Sequence, residues 1–263
     1  MNAIALTPGD LAIAALLIVF DAALSLWLHL GLHKRIAIAA VRMVLQLVTI
    51  GFVLRFVFTL NNPAATLAVV VVMLLVAGRE VATRPAKRLK GGANYIIGAT
   101  SVGLATLLTA LLALTTAIRP DPWFDPHYAI PLVGIILGNV LNTGSITLDV
   151  VLSGFDRERM AIEAQLALGA TFREAARPII VQGIRQGMLP MINAMSASGI
   201  VTLPGIMTGQ ILGGMDPLEA VKYQILLMFL LGGASGLASV VIAFLAVRHM
   251  TDDRQRLRLD RLV

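Results

Sequence analysis

The chain has 263 residues, of which 57% are hydrophobic and only 14% charged, and its mean hydropathy is +0.84. Soluble domains carry about a quarter charged residues, so this composition excludes a soluble enzyme, a disordered chain and a solvent-exposed nucleic-acid binder. The net charge of +6 is read through its placement, and the absence of cysteine removes disulfides, thiolate metal sites and cysteine nucleophiles.

Residues 1–10 lack the basic start and small-residue cleavage site of a signal peptide, so insertion is expected to rely on the first span. A spanning helix needs about 20 largely apolar residues. Seven candidate spans follow in chain order, at 11–32, 36–60, 64–77, 95–118, 129–152, 184–212 and 221–247. The third is short but can extend through Asn62 or Gly78. The sixth is interrupted by Pro190, Gly199, Pro204, Gly205 and Gly209. No period-2 pattern suggests a barrel. The expected fold is therefore an all-α integral membrane protein, a single transmembrane domain over 1–263 with a helical segment at 153–183 between spans.

Lys34 and Arg35, the group from Arg79 to Lys90, the group from Arg157 to Arg185, and the arginines from Arg248 to Arg261 lie in alternate connections. Lys and Arg accumulate on the cytoplasmic side. This predicts an N-terminus outside, a C-terminus inside, a multi-pass protein of the cytoplasmic membrane, and contact with lipid headgroups rather than nucleic acid. Outside, Trp123, Phe124 and Tyr128 in a proline-stiffened connection read as an interfacial aromatic belt, and Asp121, Asp125 and His127 have no ligand-like spacing.

The connection after span five is organised. Asp156 is a candidate N-cap for a helix over 157–168, and Gly169 supplies the turn that stops it. Thr171 and Glu174 form a capping box that starts a second short helix, which Pro178 is expected to end or kink. A rigid helical elbow of this kind suits docking of a soluble partner.

Polar residues inside spans mark pathways or helix contacts. Asn139, Asn142, Thr143 and Asp149 form one stripe of span five, flanked by Ser145 and Thr147. Gln46, with Arg42 and Thr49, lies along span two. In span six, Met188, Met191 and Met195 share a face; thioethers suit soft Cu(I) better than iron, and flexible packing is the simpler reading. The break carrying Pro204, Gly205 and Gly209, together with Thr208 and Gln210, is a candidate gate or binding zone, because unpaired backbone in a membrane must be buried or line a cavity. No Gly-x4-Gly-Lys-Ser/Thr phosphate loop is present, so energy from ATP would have to come from another chain.

Two resemblances add to this. Glu163-Ala164-Gln-x3-Gly169-x9-Ile179 resembles the loop of ABC importer permeases, although Gln165 replaces an alanine and Val181-Gln182 stand where Leu-Pro is usual. That resemblance implies a coupling helix seated on an ATP-binding subunit, carried by Glu163, Ala164, Leu168, Gly169 and Ala170. Over nearly the whole chain, Arg42-x3-Gln46-Leu47-x3-Gly51, Gly78-Arg-Glu80, Pro131-Leu-x-Gly134-x3-Gly138-Asn139 and the run from Thr202 through Pro217 to Ile225 resemble FetB-type permeases. These are membrane subunits of an iron-export ABC transporter, with plant relatives tied to aluminium tolerance and a nucleotide-sugar cargo. The resemblance implies a homodimeric permease paired with a separate ATP-binding subunit, no bound cofactor of its own, and no enzymatic site. The alternatives are an ATP-independent secondary transporter or channel, which the seven spans fit equally well but the elbow and the resemblance do not, and an ABC exporter of a nucleotide sugar or other polar solute; the metal site is unassigned.

Overall fold

The computed structural model describes residues 7–60 and 62–263; residues 1–6, part of the segment read for a leader, lie outside them. Among the described residues the architecture is all helical, with isolated bridges but no strand. The chain divides into two compact units, one of residues up to 62 with 212–214, the other of 63–211 and 215–263.

In the first unit, α1 (Pro8–Trp27) and α2 (His33–Leu60) form a hairpin. Thr7 and Asp10 make a reciprocal capping box at the start of α1. The turn is held by Ser25, whose buried hydroxyl accepts the Leu32 N–H at 2.9 Å. Most of the remaining surface is apolar and exposed, including Leu17, Phe20, Leu47 and Phe52, as expected of helices whose solvent is hydrocarbon.

The second unit contains α3 (Pro63–Thr83), α4 (Ala93–Leu112, prolonged by a π-helical turn over Ala113–Ile118), α5 (Pro126–Arg157), α6 (Arg159–Ala167), α7 (Phe172–Ala197), α8 (Gly205–Leu212, all but its last residue in this unit) and α9 (Pro217–His249). Helix α3 extends past the 64–77 core in the direction Gly78 allowed, because Gly78 lies against Ala99: a Cβ there would sit 2.6 Å from the Ala99 methyl. Asp125 and Asp216 cap α5 and α9, each followed by proline at the first helical position. The core runs along α5, where Ile136, Val140, Leu148, Val151, Leu152 and Phe155 are fully enclosed.

Among the described residues six helices are long and apolar enough to cross a membrane, where the sequence suggested seven. The difference is the sixth segment. Its apolar run does not form one helix: α7 starts twelve residues before 184 and so takes in Arg173, Glu174 and Arg177, then ends at Ala197. Residues 198–204 are non-helical, and α8 is only eight residues long.

Two local expectations also change. Asp156 does not cap a new helix; α5 continues to Arg157, and Asp156 instead faces Lys87 across 3.1 Å. Pro178 neither ends nor shortens α7, which continues for nineteen further residues. The lost backbone bond is outweighed by packing on α5, since Ala175, Ala176, Ile179 and Ile180 are all buried.

The α5–α7 seam fixes the register of the unit. Gly154 faces Ile179, Gly183 faces Val151, and Gly187 faces Thr143 and Thr147, an antiparallel pairing along the full contact. At Gly187 the approach is so close that a Cβ would collide with Thr147 Oγ1 and sit 3.0 Å from the Thr143 carbonyl. Small residues four apart let membrane helices touch backbone to backbone. Gly232 and Gly236 of α9 then receive Met195 and Met188 of α7, again antiparallel.

Candidate coupling elbow and far-end break

Three basic connections meet at one end of the second unit: the 84–92 linker, the α5–α6–α7 elbow and the segment after α9. In the elbow, Gly169 adopts φ +93°, the left-handed turn predicted for it. Its N–H donates to the Leu166 carbonyl and that of Ala170 to Gln165. Thr171 and Glu174 form the predicted capping box, with Thr171 N–H to Glu174 Oε2 at 2.8 Å and Glu174 N–H to Thr171 Oγ1 at 3.3 Å. Those bonds to Thr171 hold the Glu174 carboxyl below its ordinary pKa. Glu163 pairs with Arg159 at 2.9 Å, and Ala164 is exposed beside it. At the tip, Leu168 is 88% and Met160 78% exposed.

The base of the elbow is firmly held. Phe155 and Phe172 stack with centroids 5.9 Å apart, both buried, and Arg173 lies 5.2 Å over the Phe244 ring of α9. The segment after α9 folds back on it. Asp252 accepts the Arg254 and Arg256 backbone N–H groups and the Arg256 guanidinium, making a turn that presents Gln255. Gln255 Oε1 accepts the Phe172 N–H at 2.8 Å, satisfying one of the free donors at the start of α7. Further on, Val263 and Arg88 exchange backbone bonds at 2.7 and 3.0 Å. The Arg256 bonds pull the Asp252 carboxyl down to about 2, and the Arg258 guanidinium does the same for Asp260. None of these contacts was foreseen; the sequence shows only a run of mixed charge.

Part of the polar stripe of α5 is bonded to the α3–α4 linker. Asp149 Oδ1 accepts the Ala86 N–H at 2.7 Å, and Asn142 Oδ1 accepts Arg84 Nη1 at 2.8 Å. Both partners belong to the α3–α4 linker. Beyond Asp149, α5 continues to Arg157, about 12 Å at 1.5 Å per residue. Asn139 Nδ2 donates to Ile135 of its own helix. Thr143 is buried under Gly187, and Thr147 donates to its carbonyl. The pattern Gly183-x3-Gly187 was the readable signal for this contact. Gln46 lies in the first unit, exposed on a groove of α2 with Arg42 and Leu45.

At the other end of α7 the chain opens. Ser198 and Thr202 bridge, and Gly199 N–H donates to the Thr202 carbonyl at 2.9 Å. Pro204 precedes α8, which Gly205 begins, and Thr208 bonds back to the Pro204 carbonyl; Gly209 is exposed on the helix. Gln210 is half-buried, its Oε1 enclosed without a donor. Ile200 at the loop tip is 92% exposed. No group of three or more His, Asp or Glu residues among the described residues could hold a metal. Asp125 is committed to capping α5.

These features define a polytopic helical membrane protein with a structured elbow on one end and a broken helix on the other. The chain belongs to the family described as Uncharacterised protein family (UPF0014), which matches residues 8–251. It is 36% identical to a UPF0014 membrane protein of Synechocystis over 89% of this chain and 90% of that one. It is 30% identical to the "probable iron export permease protein FetB" of Escherichia coli, over 100% and 99% of the two chains. The Arabidopsis protein ALUMINUM SENSITIVE 3 is 32% identical over 88% and 83%. No solved structure matches.

Proposed function

We propose that the chain is the permease subunit of an ATP-driven exporter in the cell inner membrane, acting as a homodimer with separate ATP-binding subunits that dock on the elbow. One observation carries this reading. A nine-residue helix, a left-handed glycine and a capped helix project an exposed Leu168 beyond a base clamped by aromatic stacking and Gln255. Leu168 and Met160 give this rigidly held projection an apolar tip, a shape suited to seating in a partner's groove.

The name of the Escherichia coli relative makes iron or another metal ion the leading cargo. The antiparallel α5–α7 seam supports α7 and α8 as a seventh crossing despite their charge and break, which restores the outside-to-inside topology. The mechanism is alternating access. Closure of the ATP-binding subunits moves the elbow, the motion passes along the glycine-tight seam, and the pathway forms along Asn139, Asn142, Thr143 and Asp149, with Thr208 and Gln210 at the break. Opening that path requires the linker to release Asn142 from Arg84 and Asp149 from Ala86.

The test is reconstitution with the co-purifying ATPase. Gly169→Pro and Glu163→Arg are expected to lower transport-coupled ATP hydrolysis about tenfold, equivalent to 1.4 kcal/mol of docking energy, with assembly of the permease itself unchanged. Undiminished coupling in both variants would refute the assignment of the elbow.

A further inference from the structure

At the far end, the last turn of α7, the 198–204 loop, α8 and the start of α9 line a half-open cavity of about 550 Å³. Its wall is built from Met195, Leu203, Met207, Ile225, Met228 and Phe229, with Gln224 and Ser198 as its polar members. That is the size and make-up of a small-molecule site, mostly apolar with a few placed polar groups. Gln224 is the feature that packing does not explain. It is only 7% exposed, and its Oε1 finds no hydrogen-bond donor. A buried amide oxygen left without a donor costs free energy, and a leucine would fill the same place without it. The terminal torsion of glutamine is soft, so the amide can turn either its carbonyl or its NH2 towards a guest. Ser198 donates to Ala194 but keeps its oxygen as an acceptor.

We propose that this cavity is a binding site for an uncharged amphipathic small molecule, whose hydroxyl or amide group engages Gln224 while its apolar body lies against the three methionines and Phe229. Three aspects of the wall set the class. It carries no charged side chain, so an ion would lose its hydration without a counter-charge. Its lining lacks the carboxylates that hard cations require. Methionine from three successive helices gives a surface that re-packs around guests of different shape. The volume suits a single chain or ring system rather than a diacyl lipid. The inference stands apart from ATP coupling, because the site is complete within the permease chain.

The experiment uses the full-length protein in lipid nanodiscs and a photoreactive octanol bearing a diazirine, with labelled residues mapped by mass spectrometry. Labelling is expected to be saturable, concentrated on Met195, Leu203, Met207, Ile225 and Met228, and competed by octanol but not by octylammonium. Gln224→Leu should lower saturable labelling about fivefold, the worth of one net hydrogen bond, while leaving the melting temperature equal or higher. Met207→Trp, which fills the cavity, should abolish it. Unsaturable labelling spread equally over the exposed faces of α1 and α2 would overturn the site. Saturable labelling indifferent to Gln224→Leu, or equal competition by octylammonium, would overturn the chemistry assigned to it.

Discussion

The two ends of α7 obey opposite rules. At the elbow end the polar groups at the base are paired: Phe172 N–H is met by Gln255, Thr171 by Glu174, and Asp156 by Lys87. At the far end Gln210 and Gln224 keep enclosed carbonyl oxygens without donors, next to a cavity and a loop with Ile200 fully exposed. Buried polar groups are normally satisfied, and the exceptions call for an explanation. One end is closed by its own contacts, while the other leaves enclosed amide oxygens unpaired.

The seam that joins the two ends gives the largest expected effect. Gly187→Leu must separate α5 from α7 at Thr143 and Thr147, and overpacking of this kind costs about 1–3 kcal/mol. Thermal melting in detergent should drop accordingly; a melt unchanged from the native protein would show that the ends are not coupled by close packing. Next in size, Asp149→Ala should destabilise by about 1 kcal/mol by stranding the Ala86 N–H, read in the same melt. Gln224→Leu at the far end should do the reverse and gain up to about 1 kcal/mol, because it removes an orphaned polar group. Opposite signs at the two ends sharpen the contrast; equal signs break it. The smallest effect concerns pH. Asp252 titrates at about 2 in the folded protein against an ordinary 3.8, so its contribution to the clasp is present above pH 3.8 and is lost as pH falls through 2. Hydrogen exchange over 250–263 should therefore rise selectively in that window, with α5 still protected.

Much of this contrast was legible in the sequence. The glycine turn at Gly169, the Thr171–Glu174 box, the helix break between Gly199 and Gly205, and six of the spans follow from local rules: φ, capping, and hydrophobic length. What was not legible depends on partners distant in the chain. Asp156 reads as a cap by position, but the helix before it continues, since nothing at 153–157 breaks it and Phe155 is anchored against Phe172. Pro178 reads as a stop, yet the burial of its neighbours on α5 carries the helix through. Gln255 reaches back across 83 residues to Phe172, and Gln224 becomes unusual only once the wall around it is known.

The elbow as a docking surface is the central assignment, and the absence of cysteine in the chain makes a direct test clean. Single cysteines introduced by Leu168→Cys at the elbow tip and Ile200→Cys at the far loop would be crosslinked in native membranes, and the attached protein identified by mass spectrometry. An ATPase carrying a phosphate loop is expected to be joined to position 168 and not to position 200. An ATPase absent from position 168, in membranes where a known ABC complex crosslinks, would contradict it.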